Sequence, residues 1–564
     1  MSTPVDSISW TTIATALLGV GLGAGAISGC FYSCDEMAMA GDFSGETLLP
    51  PGDANRAIAE ADIVQIVGDR LYALSRTRGL NIVDVSDADD LVLLDQADPV
   101  TGIPFEMYVR DGVVLALVDA AAEGHHTTLQ AFDVSDPSAI DFLGMDSVPG
   151  HVSDSRIVGD VLYVISFEDH SCSSCPTEPT TTITSFDVGE PAAIDQVDQV
   201  SYAQPDVDGQ GMRRSVAVTT ERMYVSGVDW DGGSQLGHST IQVIDISAPD
   251  GQLVEGASVQ IEGMILSRWQ MDELDGVLRV VSQPGVWSSA ESPRVETFAI
   301  HSSQEVYPLG SLMLELPVPE SLRSVRFDGN RAYAITAAAP EPYDPTPGSE
   351  TEGPPPPPID MCGPSCDPLF VIDLTDPSQP AQLGSLEMPG WVFHMEPRGD
   401  RLMAFGFENT YPLGPLNVSL FDVADGDNPK LLERVSFGGQ WAGTSEDQNR
   451  IHKAFTVVDD LGLILVPYGY WEWQEDMQCG EFESCGGDTV ERCWDEGEWV
   501  RRGAVQIVHF TSDTLVARGA PMLNSWTRRA MIHSARLLAV SDEEVSSFDI
   551  DNLDVPSQAS QLSF

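Results

Sequence analysis

The sequence predicts an all-β chain: a β-propeller of nine four-stranded units, with eight as the alternative count, behind a lipoprotein-type signal and a flexible tether. Three observations carry this. A double-hairpin pattern recurs along the chain. Apolar residues alternate with period two inside each short run. No amphipathic helical pattern appears after residue 60.

Each unit opens with a hairpin whose second strand is apolar, as in VGDRLYAL (67–74), VRDGVVLALV (109–118), VGDVLYVIS (158–166), FDGNRAYAIT (327–336) and RGDRLMAFG (398–406). The Gly-Asp and Asp-Gly pairs supply the positive φ that tight hairpins need. A second hairpin follows, its first strand ending in an apolar-Asp-apolar-Ser/Thr-Asp-Pro signature: LNIVDVSDAD (80–89), LQAFDVSDPS (129–138), IQVIDISAPD (241–250), LFVIDLTDPS (369–378) and SLFDVADGDNP (419–429). Asp followed by Pro starts a type I turn. First hairpins fall near Val67, Asp111, Gly159, Glu221, Gly276, Gly329, Gly399, Asp460 and Ser534. That is roughly 55 residues per unit, above the usual 40–50 for propeller repeats. A unit of this kind buries neither face alone, so units must stack around an axis.

The excess length sits in insertions at 168–181, 339–368 and 468–499. The second is acidic and Pro-rich and reads as a stiff solvated loop. The third carries Tyr468, Tyr470, Trp471, Trp473, Trp494 and Trp499. At the start, Ile13 to Gly29 is apolar and small, and Ile27-Ser28-Gly29-Cys30 resembles a bacterial lipobox. The expected domains are a signal peptide (1–29), a lipid-anchored tether (30–59) and the propeller (60–564). Cys30 is then the lipid anchor, and the location is extracytoplasmic, in the periplasm or at the cell surface. No Lys or Arg precedes Arg56, so an uncleaved anchor is the alternative. Spending Cys30 on lipid leaves eight of the nine cysteines, an even number suited to disulfides in an oxidising compartment. Cys172 with Cys175 and Cys362 with Cys366 are local pairs. Two of Cys479, Cys485 and Cys493 pair, leaving the third for Cys34.

Together these segments resemble the secreted proteins with a C-terminal β-propeller domain found in bacteria and archaea, over roughly 60–564. The likeness rests on EADIVQIVGDRLYAL (60–74), SDSRIVGDVLYVIS (153–166), RWQMDELDGVLRVVS (268–282), SVRFDGNRAYAIT (324–336) with DPLFVIDLTDPSQPAQLGSLEMPG (367–390), HKAFTVVDDLGLILVP (452–467) and TRRAMIHSARLLAVSD (527–542). The resemblance implies the fold and an envelope location. It implies no activity and carries over no catalytic or ligand-binding residue.

Chemistry is sparse. The chain has 87 Asp and Glu against 28 Lys and Arg, a formal charge of −59, which repels nucleic acid and anionic lipid. There is no GxSxG, HExxH or P-loop. No cofactor and no metal centre is expected; the turns DWDGG (229–233), DVDGQG (206–211) and DGDNP (425–429) leave only a structural calcium ion open. The exception to this blandness is a set of basic side chains on or just before the first strand of successive units: Arg156, Arg213, Arg214, Arg268, Arg326, His394, His452, Lys453, Arg528 and Arg529. First strands line a propeller's channel, so Arg156, Arg214, Arg326, His394, His452, Lys453 and Arg529 form a candidate channel anion site, unless Asp and Glu from adjacent units neutralise them. The expected function is an envelope binding or scaffold module, monomeric, held to the membrane only by its lipid, with a protein, peptide or glycan partner. A channel-mouth hydrolase is the alternative.

Overall fold

The computed structural model describes residues 58–564 apart from 98–101, 120–125, 169–177, 204–212, 230–236, 286–290, 317–319, 338–367, 409–414, 484–488 and a few stretches of one or two residues. Cys30, Cys34, Cys172, Cys175, Cys362, Cys366 and Cys485 therefore lie outside the described residues, as do the tether and most of the first two insertions.

Nine antiparallel sheets follow one another, each built from one contiguous stretch of chain with its strands in simple up-and-down order. Their first strands are Val64–Val67, Ile103–Arg110, His151–Val158, Ser215–Val218, Met271–Leu274, Ser321–Asp328, Trp391–Arg398, Thr456–Val458 and Thr527–His533, and these define blades 1 to 9. Among the described residues, regular helix is confined to the three-residue 3-10 turns Arg268–Gln270, Ile451–Lys453 and Asp459–Leu461.

Why the chain folds this way is visible at the turns. The first hairpins turn at positive φ on Gly68, Asp111, Gly112, Gly159, Asp275, Gly276, Gly329, Gly399, Gly462, Ser534 and Ala535. The signature aspartates close the second hairpins. Asp84, Asp133, Asp245, Asp373, Asp422 and Asp549 each accept a hydrogen bond from the backbone N–H two residues on. A second such turn follows at Asp87, Asp136, Asp376 and Asp425. Part of the chain's acidity is thus turn chemistry. The Asp425 carboxylate of the DGDNP stretch caps its own turn in this way.

Second and third strands are largely buried, apart from the outer part of those in blade 8, whereas fourth strands such as Asp141–Pro149 and Ser557–Ser563 are largely exposed, so they form the outer rim. Nine apolar clusters lie between successive blades. Tyr72, Leu74 and Ile82 of blade 1 meet Met107, Val114 and Phe132 of blade 2, and the series ends with Leu538, Val540 and Val545 of blade 9 against Leu71, Ala73 and Val83 of blade 1. The ring is closed, with nine blades. No strand is shared between blades 1 and 9 among the described residues; packing and side-chain bonds close it.

The third insertion is not a loop. The second and third strands of blade 8, Leu463–Gln474 and Glu498–Phe510, run on together beyond the blade. A further hairpin, Met477–Glu483 with Thr489–Asp495, sits at their tip. Its register places Cys479 opposite Cys493.

Candidate functional site

Two places stand out: the inner end of the blades and the projecting strands of blade 8. At the first, a bulge recurs in the innermost strands. One residue is skipped by the strand register in blades 2, 3, 6, 7 and 9, namely Phe105, Ser153, Arg323, Phe393 and Arg528. The residue after each is Glu106, Asp154, Ser324, His394 and Arg529. A bulge re-aims the side chains that follow it, and here three of the five are the charged groups Glu106, Asp154 and Arg529.

A short N-terminal segment crosses this inner surface. Ala59 pairs with Ile157 of blade 3 and Asp62 with Met107 of blade 2 before the chain enters blade 1. It brings two carboxylates. Glu60 meets Arg156 Nη2 at 3.2 Å, Arg268 Nη1 at 3.3 Å and His452 Nε2 at 2.8 Å. These come from blade 3, from the turn before blade 5 and from the turn before blade 8, so one carboxylate ties three parts of the ring. Asp62 takes Arg529 of blade 9 through Nε at 2.9 Å and Nη2 at 2.6 Å.

The remaining cations have partners too. Lys453 donates to Glu106 at 2.7 Å, and Ser155 Oγ donates to the same carboxylate at 2.6 Å. Glu446 receives Arg529 Nη1 at 2.8 Å and Arg528 Nη2 at 3.3 Å. Arg156 also pairs with Asp154. Of the seven residues read from sequence as one channel group, six share this inner cluster. Arg214 does not: it donates to Ala203 O at 2.9 Å, lies over the Tyr202 ring and fills the space that the absent side chain of Gly227 leaves. The acids Glu60, Asp62, Glu106, Asp154 and Glu446 were missed by sequence reasoning, because 87 acidic residues offer no contrast.

Protonation states follow from the donors. Arg326 only donates, so His394 Nδ1, 3.0 Å from its Nη2, must be the bare nitrogen of a neutral ring. Burial, then the charges of Arg326 and His452, hold His394 well below its ordinary pKa. Arg326 itself is buried, donates to Met395 O at 2.9 Å and stacks 3.5 Å over Trp269. His452 Nε2 lies between the Glu60 carboxylate and Arg268 Nη2, at 3.1 Å from the latter. A carboxylate cannot donate, and its contact is shorter, so Nε2 carries the proton and points at Glu60. Burial lowers the His452 pKa despite Glu60. Burial raises the Glu60 carboxyl, but Arg156, His452 and Lys453 outweigh that and hold it well below the usual carboxylate range. Glu446 behaves likewise under Arg529, Arg450 and Arg528.

Local sequence positions these groups. Ser267 and Gln270 form a capping box: Ser267 Oγ accepts from Trp269 N, and Gln270 Oε1 accepts from Ser267 N at 3.0 Å. Gln270 Nε2 donates to Val281 O at 2.8 Å, which fixes the turn carrying Arg268 and Trp269 to blade 5. Among the described residues no group of three or more His, Cys, Asp or Glu is arranged to hold a metal ion.

The second place is apolar and exposed. On one face of the projecting strands lie Trp471 opposite Arg501 and Trp473 opposite Trp499. The three indoles are 43%, 40% and 56% exposed. Trp473 and Trp499 meet edge to face at 5.4 Å. Arg501 lies 5.5 Å from the Trp471 ring and 4.5 Å from Trp526. Trp526 in turn covers Gly469, where a Cβ would come within 2.2 Å of the indole. The result is a strip of Trp526, Arg501, Trp471, Trp473 and Trp499.

The family model agrees with the architecture. The family described as Beta propeller domain matches residues 55–343 and 364–553. An uncharacterized protein of Methanocaldococcus jannaschii is 29% identical over 194 residues, 34% of this chain and 26% of its own. One from Archaeoglobus fulgidus is 23% identical over 240 residues, 43% of this chain and 32% of its own. The chain thus spans about a third or less of those relatives. Among solved structures, Sqt1 of Chaetomium thermophilum aligns with 86% of this chain and 96% of its own at 12% identity and a TM-score of 0.37. A Lactobacillus plantarum protein aligns with 68% of this chain and 97% of its own at 12% identity and a TM-score of 0.34.

Proposed function

From the premise that the chain belongs to the Beta propeller domain family, we propose that it is an extracytoplasmic binding or scaffold module, anchored through lipid on Cys30, that engages a protein partner through the blade 8 strip. The observation that supports this is the exposure of Trp471, Trp473 and Trp499 beside Arg501, with Tyr470 and Met522 close by, the latter 65% exposed. Soluble monomers seldom leave such a group uncovered. Trp, Tyr, Arg and Met are the residues that concentrate in interface hot spots. The paired cations at the axis are neutralised within the chain, so they are weaker support for an external partner than the strip.

The test is cross-linking in the native envelope. The double variant Trp471→Ala, Trp499→Ala should lose the partner captured by the parent while keeping its thermal midpoint. Capture equal to the parent's refutes the strip. Anchoring is tested separately: Cys30→Ser should move the protein out of the membrane fraction, and unchanged fractionation refutes the lipid.

A further inference from the structure

The ion pairs at the axis look like a knitted ring, yet Glu60 differs from the other acids. Asp154, Glu106 and Glu446 sit on the blades or their connections. Glu60 sits between two isolated bridges, Ala59 to Ile157 before it, with both bonds at 3.2 Å, and Asp62 to Met107 after it. Ala59 and Glu60 are exposed, whereas Ala61 and Ile63, one and three residues on, are 1% and 2% exposed. Residues 58–60 can therefore lift away while Ala61 to Ile63 stay packed. What remains behind is a built site: Arg156 from blade 3 and Arg268 on its capped turn, which share Asp154 as a partner, and the His452 N–H.

A second observation points to a ligand. The buried indole N–H of Trp269 has no hydrogen-bond partner. Its ring belongs to the cluster: it meets the His452 ring at 5.1 Å, and Arg268 lies 4.3 Å over it. Unpaired buried polar atoms are rare and call for a cause. Glu60 brings two oxygens and leaves this donor unserved.

We propose that Arg156, Arg268 and His452 form a carboxylate-binding site at the channel mouth, occupied in cis by Glu60 and open to an external carboxylate when residues 58–60 withdraw. This is independent of the blade 8 strip. Two guanidiniums grip a carboxylate in a fixed plane, and the imidazole N–H adds direction. The tethered Glu60 competes at an effective concentration of about millimolar or more, so the parent protein binds free carboxylates poorly.

The experiment uses the full chain with Glu60→Ala and measures binding of succinate and of a penta-aspartate peptide by calorimetry, with chloride at matched ionic strength as control. Glu60→Ala should bind at least one of the two at least tenfold more tightly than the parent. The gain should weaken with salt and vanish in Glu60→Ala, Arg268→Ala. A preference for succinate identifies a small dicarboxylate as the ligand, and a preference for the peptide identifies an acidic chain. No carboxylate-specific gain, or a gain that survives Arg268→Ala, overturns the proposal and leaves Glu60 as a ring stitch only. If Glu60→Ala unfolds, acetate should restore its thermal midpoint where chloride does not. Equal effects of the two salts overturn the proposal as well.

Discussion

At the scale of single residues, two positions carry consequences that can be measured. Ala535 sits at φ 59° in the last first-hairpin turn, next to Ser534 at φ 48°. A Cβ in the left-handed region costs about 1–2 kcal/mol, and glycine would relieve this at an entropic cost of about 0.5–1 kcal/mol. Ala535→Gly should therefore raise stability by about 0.5–1 kcal/mol, read from a denaturant midpoint; a fall would show that the turn is unstrained. His394 gives a pH signature. Its folded pKa lies below the ordinary 6.5 because it is buried, with Arg326 at 3.0 Å and His452 near; Glu396 at 4.0 Å does not compensate. The unfolded chain thus takes up a proton first as pH falls. The stability that neutral His394 contributes is complete above pH about 6.5 and is lost as pH drops below it. The depressed carboxyls of Glu60 and Glu446 act in a separate window, from about 4.5 downwards. His394→Gln should reduce the slope between pH 7 and 5, leaving the share of His452, whose pKa burial also lowers, and should leave the acid limb. A curve as steep as the parent's in that range would exclude His394 as its source.

At the scale of elements, the blade 8 extension turns a three-cysteine ambiguity into one expectation. Antiparallel register sets Cys479 opposite Cys493, and directly opposed Cα atoms lie about 4.5–5.5 Å apart, inside the range a disulfide requires. Unreduced peptide mapping should recover the 479–493 bridge; free thiols at both positions, or a bridge from either to Cys485, would refute it. The elements also show how far sequence reaches. The first hairpins were legible because seven of the nine carry Gly, Asp or Asn at the turn, blades 4 and 9 turning on Thr219–Arg222 and Ser534–Ala535 instead, and the Asp signatures because side chains close those turns. The blade 8 strands were not: residues 468–499 read as an insertion, whereas Gly469 and Gly503 lie in paired strands and make room for Trp526 and for Ser525 with Thr527. Inner-strand bulges hid more. Period-two alternation flips after Phe105, Ser153, Phe393 and Arg528, so the facing of Glu106, Asp154, His394 and Arg529 cannot be counted from the strand start.

At the scale of the whole molecule, the question is what holds a nine-bladed ring shut when its first and last blades share no strand among the described residues. The cations were legible in the sequence as rare charges at repeated positions. Their anions were not, because Glu60 and Asp62 precede the first repeat and act on blades up to 467 residues away in sequence. Closure rests on three kinds of contact. The apolar cluster of Leu538, Val540 and Val545 with Leu71 and Val83 is the largest. Rim bonds add Leu91 N to Ser560 Oγ at 3.2 Å and Arg536 to Asp89 at 2.8 Å. At the axis, Asp62 grips Arg529, whose side chain is only 2% exposed and which Glu446 also holds. These pairs should differ sharply in weight. Arg536 and Asp89 are solvated, so their attraction is screened and Asp89→Ala should leave the unfolding midpoint unchanged. Asp62→Ala removes half of the neutralisation of a buried guanidinium, a loss of about 3 kcal/mol, at the low end for buried pairs because Asp62 is itself 23% exposed. The loss should concentrate at the seam: hydrogen exchange should rise in blades 1 and 9 and stay unchanged in blades 4 to 6. An even rise around the ring, or equal effects of Asp62→Ala and Asp89→Ala, would show that packing alone closes it.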